Sequence, residues 1–268
     1  MVDRLDVANS TAQTAQTSTI LVDQPAEPLL VELPPGRSDM SACAGLPWLV
    51  MVHALGENRT GNNYWQACTA RIIAAGGVVV ARFDLCGYGE SLADKSVRAW
   101  VRQCEDAIQT ARRYGASTVH LSARGLHAAL LGPLDVPGER IALFPPNATQ
   151  LRWLDTFADR TDDDVIRVDQ PPSGDELTFW TTCGSEPNLI QGSVFPLGVL
   201  RTLRTWLADQ DGSTWTLTVG TVHDVGRANT LVCGADPLTR LESDRIGLAH
   251  LLRRHLTQLP GRTGGDGG

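Results

Sequence analysis

A series of short, nearly unbroken apolar runs constrains this chain more than anything else: Trp48–Val52, Val78–Phe83, Val119–Ala123 and Ile141–Phe144. A strand exposed on one side alternates apolar with polar residues, so runs of this kind read as strands covered on both faces. Between them, Tyr64 to Ala75 and Val97 to Tyr114 carry helical spacing and stop at Gly76-Gly77 and Gly115, and Leu126 to Leu131 begins a further helix. Strand and helix alternating at this spacing predict βαβ units: an α/β fold with a mainly parallel central sheet flanked by helices. Leu29 to Leu33 adds an early strand. The pattern weakens after Asn147, where Asp162-Asp163-Asp164 and Pro171-Pro172-Ser173-Gly174 are loop material, and a small lid insertion is expected over about 147–195. It resumes with a helix over Pro196 to Leu207, strands at Thr214 to Val219 and Thr230 to Cys233, and a terminal helix over Ser243 to Leu256. The polar stretch 1–17 and the Gly-rich stretch 260–268 read as mobile tails around one domain, 18–259.

Charge narrows the function classes. The formal net charge is −7, with no basic run, which excludes neither a small-molecule ligand nor a protein partner or homodimer but argues against nucleic acid and anionic membranes. Positive charge is almost all arginine, Lys95 being the only lysine, a bias expected of a GC-rich bacterial genome. Cys43, Cys68, Cys86, Cys104, Cys183 and Cys233 form no C-x-x-C pair and no His/Cys cluster, so neither a zinc site nor any other metal is expected. Scattered through apolar segments, they predict buried free thiols in a reducing cytoplasm. The start MVDRLDVANS has no secretion pattern and no run is long enough to span a bilayer. There is no G-x-G-x-x-G or Walker A loop, so no nucleotide cofactor is expected.

Taken together, PWLVMVHALGENRTG (47–61), RFDLCGYGES (82–91) and YGASTVHLSARGLHAALLG (114–132) resemble the α/β-hydrolase superfamily. Within it the chain is most similar to the serine-aminopeptidase-like branch, including hydrolases associated with exosortase systems. The resemblance is specific over 47–132 and rests on alternation alone thereafter. It implies the α/β-hydrolase fold. It also implies an oxyanion hole built from the loop that begins His53-Ala54-Leu55-Gly56, the family's D-x-x-G-x-G-x-S loop at Asp84 to Ser91, and a nucleophile elbow near Ser122 to Leu126.

The elbow requires small residues two before and two after the nucleophile, which itself sits in strained backbone. With Ser122 in that place the flanks are His120 and Arg124, both large. With Arg124 they are Ser122 and Leu126, and a bulky residue carries the strain. With Gly125 they are Ala123 and His127, and glycine takes positive φ at no cost. Gly125 fits best, and it leaves the chain without a serine nucleophile. The acid position falls on Asp224 or Asp236, depending on which late strand precedes it. His223 is the best remaining histidine, because His250 and His255 fall in a helical pattern.

Backbone donors survive such losses. In the Gly125 frame the N–H of Leu126 faces that of Ala54 or Leu55, with Arg124 and His127 at the mouth and Glu57 and Arg59 opposite. Cys86 and Tyr88 lie near the pocket, and Trp153 and Trp180 lie under the lid. Cys86 reads more readily as an inert thiol than as a nucleophile, and the aromatics as packing at least as readily as lining. Three functions stay open. One is an enzyme for a small acyl or carbonyl substrate using non-hydrolytic chemistry, such as elimination or cyclisation (a lyase-like step), with His53, His127 or His223 as acid or base. The second is an esterase, thioesterase or acyltransferase using Ser122. The third is a pseudoenzyme that binds a ligand or partner.

Overall fold

The computed structural model describes residues 16–23, 27–146, 151–152, 155, 165–168, 170, 174–182, 192–210, 214–220, 230–233 and 240–259. The expected apolar runs form the centre of one sheet: β3 (Trp48–Val52), β4 (Val79–Arg82), β5 (Val119–Arg124) and β6 (Arg140–Leu143). With β1 (Ser18–Val22), β2 (Leu29–Leu33), β9 (Leu217–Gly220) and β10 (Thr230–Val232) they build an eight-stranded sheet of order β1-β2-β4-β3-β5-β6-β9-β10. From β4 to β10 every pairing is parallel; β1–β2 and β2–β4 are antiparallel.

Alternation along the strands divides the core. Trp48, Val50, Val52, Leu121 and Ala123 face α2 (Val97–Arg113), while Leu49, Met51, Val80, Ile141 and Leu143 face α1 (Trp65–Ala74) and the terminal helix, here α5 (Glu242–Gln258). Ser96 caps α2, its hydroxyl accepting from the Ala99 N–H. The segment after β5 departs from expectation. Gly125–Leu131 is 3-10 rather than α-helical and is followed at once by Gly132-Pro133, where proline has no N–H to extend a helical ladder.

Between β6 and α4 (Leu197–Asp209) lies the expected insertion. Its described parts are β7 (Val165–Val168), paired antiparallel with β8 (Ser193–Pro196), and α3 (Gly174–Thr182). Trp180, wholly buried between Phe179 and Phe195, packs this unit together rather than lining a cavity; Trp153 lies outside the described residues.

The antiparallel edge carries a feature that its composition hides. Glu32 is wholly buried, pairs with Arg82 at 2.7 Å and accepts the Thr19 hydroxyl at 2.6 Å, while Arg82 also donates to the Arg59 carbonyl at 2.9 Å. The pair ties β1, β2 and β4 together beneath the loop that follows β3. Truncation of one partner of such a buried pair leaves an uncompensated charge, so Glu32→Ala is expected to cost about 3–5 kcal/mol in urea unfolding.

Candidate functional site

β5 delivers its last residue, Arg124, in extended conformation (φ −112°, ψ 144°), and the chain then turns at Gly125 with φ +59°. A side chain there would be strained, so Gly125, not Ser122 or Arg124, stands where strand meets turn. Ser122 sits inside β5, paired with Met51 and Ile141, wholly buried and with its hydroxyl unbonded among the described residues. Strand geometry therefore removes it from the turn.

The loop after β3 faces this turn. His53, Ala54 and Leu55 are wholly buried. The Ala54 N–H, one of the expected oxyanion donors, is already engaged, donating to Glu57 Oε2 at 3.0 Å. The same carboxylate accepts the indole N–H of Trp65 at 3.0 and 3.2 Å and pairs with Arg124 at 3.3 Å. The Arg124 guanidinium lies 4.6 Å from the Trp65 ring centroid and 5.8 Å from that of Phe144. Phe144 itself adopts φ +47°, a costly conformation for an aromatic residue, at the end of β6. Both charges are removed from water and each is offset by the other and by neutral donors or π faces. Trp65 and Phe144 belong to no motif and escaped sequence reasoning; an arginine ending an apolar strand was the one signal that a buried counter-charge was needed.

The histidines are held neutral. His53 Nδ1–H donates to the Ala54 carbonyl at 2.9 Å, and Nε2 accepts the Leu85 N–H at 3.1 Å. His127 Nδ1–H donates to the His53 carbonyl at 2.7 Å. Burial is the main reason that the His53 pKa is lowered and that of His127 is pushed down to about 3, the proximity of His53 adding to the latter. Edge-to-face contacts with Tyr88 and Trp100 close the ring cluster. His53 thus has both ring nitrogens engaged, and His127 is wholly buried.

The D-x-x-G-x-G loop has a structural explanation. Asp84 accepts the Arg59 N–H at 2.6 Å and the Glu90 N–H at 3.3 Å, and pairs with the Arg59 guanidinium at 3.1 Å. Gly89 (φ +55°) passes so close that a Cβ would lie 2.3 Å from that carboxylate. The Cys86 thiol is pushed up in pKa by burial, which favours the inert form over a nucleophile. Leu126 is buried, while His223, Asp224 and Asp236 lie outside the described residues. Among the described residues no group of histidine, cysteine and carboxylate is placed to hold a metal, and no helix is long and apolar enough to cross a membrane.

Next to the Glu57 network opens a cleft of about 510 Å3, lined among others by Asn58, Tyr64, Tyr88, Lys95 and Phe195. Asn63 and Tyr64 reach it in left-handed backbone, at φ 52° and 59°.

No family model matches the sequence, and no curated protein matches it. Solved structures do. Est1E from Butyrivibrio proteoclasticus with ferulic acid bound aligns at TM-score 0.59 and 12% identity, over 88% of this chain and 97% of its own. A soluble variant of monoglyceride lipase from Saccharomyces cerevisiae aligns at 0.56 and 11%, over 91% and 95%. A hydrolase from Agrobacterium vitis S4 aligns at 0.52 and 12%, over 89% and 98%. The chain has the α/β-hydrolase fold. Within that fold Gly125 occupies the turn after β5, and the loop after β3 faces it.

Two predictions test this chemistry. Arg124→Met should destabilise by about 3 kcal/mol in urea unfolding, because the buried Glu57 carboxylate loses its counter-charge. His120, buried under β6 and accepting the Glu139 N–H, is pushed down to about 4 for the same reason as His127. Folded values below the ordinary 6.5 mean that the unfolded chain binds these protons first, so stability is full above pH 6.5 and falls as pH drops from there through 4 toward 3. Each buried neutral histidine adds about 1.4 kcal/mol per pH unit to that slope. Urea midpoints from pH 7 to 4 should show it, and His127→Asn should flatten it by one group's share.

Proposed function

We propose that this protein is a non-hydrolytic α/β-hydrolase-fold protein that binds a small polar ligand in the cleft beside the oxyanion loop. One observation carries the reading: the Ala54 N–H is taken by the Glu57 carboxylate, which is itself anchored by Trp65 and Arg124. An oxyanion hole works by offering pre-aimed donors to a charge that develops on the substrate. Here the Glu57 carboxylate already fills one of them. A second carboxylate or alkoxide beside Glu57 would meet repulsion in a site with little water to screen it.

The elbow supports the same reading. Gly125 carries no nucleophile, and Ser122 is enclosed in the sheet. Elimination or cyclisation would need a proton acceptor at the cleft, and His53 has both ring nitrogens hydrogen-bonded while His127 is wholly buried and, at a pKa pushed down to about 3, a weak base. The cleft nevertheless stays open, with amide, aromatic and ammonium groups on its walls, and its volume lies within the usual range for small-molecule sites. A fold can be kept as a binding module after its chemistry is lost.

The test is intact-mass analysis after incubation with a fluorophosphonate probe, alongside p-nitrophenyl ester turnover. The expected result is no adduct and no turnover in the wild type, and no change on Ser122→Ala. A single adduct that disappears in Ser122→Ala would overturn the reading and restore a serine hydrolase.

A further inference from the structure

The sheet's α2 side carries a second concavity, separate from the oxyanion loop. It is a groove of about 700 Å3 between α2 and α4. Its floor is apolar, formed by Val97, Val101, Val199 and Trp206, the last three only partly buried although they pack against the main core. Its rim is cationic. Arg98 and Arg102 stand one turn apart on α2, a spacing at which like charges repel. Among the described residues neither guanidinium has a carboxylate within ion-pair distance, and Glu105, the one acidic group on the lining, makes no ion pair either. Lys95 completes the rim. Its ammonium donates to the Val194 carbonyl at 3.1 Å and lies 5.2 and 5.3 Å from the Tyr88 and Phe195 ring centroids, again with no described carboxylate paired to it. Acidic residues outnumber basic ones by 30 to 23 in the whole chain, so a lining with three basic groups and one acidic group runs against the overall balance.

We propose that the groove between α2 and α4 binds a small amphiphilic anion, with a medium-chain carboxylate as its simplest form. The head group would relieve the repulsion between Arg98 and Arg102. The alkyl chain would cover Val101, Val199 and Trp206, removing exposed apolar surface from water. The volume suits a small molecule lying in a concavity, and charge and apolar surface are arranged as the two halves of such a ligand require.

Calorimetric titration of the full chain with sodium octanoate and with octan-1-ol tests this. Octanoate should saturate one site, and octan-1-ol, with the same tail and no charge, should bind roughly tenfold or more weakly. The double variant Arg98→Glu/Arg102→Glu, changed only at exposed positions, should weaken octanoate by roughly tenfold or more while leaving the urea midpoint near that of the wild type. Val199→Trp, which fills the groove, should abolish binding. The proposal is overturned if octanoate does not bind, if octan-1-ol binds as tightly, or if charge reversal leaves affinity unchanged. It is equally overturned if inorganic phosphate binds as tightly as octanoate, or if only anionic phosphatidylglycerol vesicles retain the protein.

Discussion

The buried Glu57 carboxylate is the contact on which the rest of the site depends. It joins the oxyanion loop, through the Ala54 N–H, to the start of α1, through Trp65, and to the end of β5, through Arg124. Those are the elements that an α/β hydrolase uses to surround a substrate carbonyl. A carboxylate needs several donors to compensate for lost hydration, and here it finds one backbone amide, one indole and one guanidinium. The guanidinium in turn rests on Trp65 and near Phe144, so that the strained backbone of Phe144 sits where it places a ring against a buried cation. These donors are thereby committed to a carboxylate that the chain itself supplies.

The surrounding loops are held by contacts within the fold. Asp84 holds Arg59 and the turn at Glu90, and Gly89 is the residue that allows the loop to close over that carboxylate. His53 ties the oxyanion loop to the next one by accepting the Leu85 N–H. Motifs that look catalytic thus serve as clamps between adjacent strand ends.

Much of the fold was legible from the residues. Runs such as Trp48–Val52 and Val119–Ala123 are apolar on both faces because helices cover both faces of a parallel sheet, and that pattern is local. A turn at Gly125 was legible as well, since a glycine directly after an apolar strand takes positive φ at no cost. Other elements were illegible. β1 lies next to a polar stretch and exists because it pairs with β2 and because its Thr19 reaches Glu32, a contact between residues far apart in sequence. The run after Gly125 has helical spacing, but the Gly132-Pro133 that follows it left a 3-10 turn.

What the sequence alone determined is therefore the layer order, the parallel strands, and the lack of a side-chain nucleophile at the turn, each a matter of periodicity or local sterics. What only the tertiary structure decided is the state of the site. Glu57 and Arg124 are ordinary charged residues until the fold brings them together over a separation of 67 residues and closes water out. His53 and His127 are plausible bases in a sequence, yet enclosed and weakened as bases once they pack against Tyr88 and Trp100. Pairing and desolvation act through space and depend on what surrounds a group, so no reading along the chain contains them.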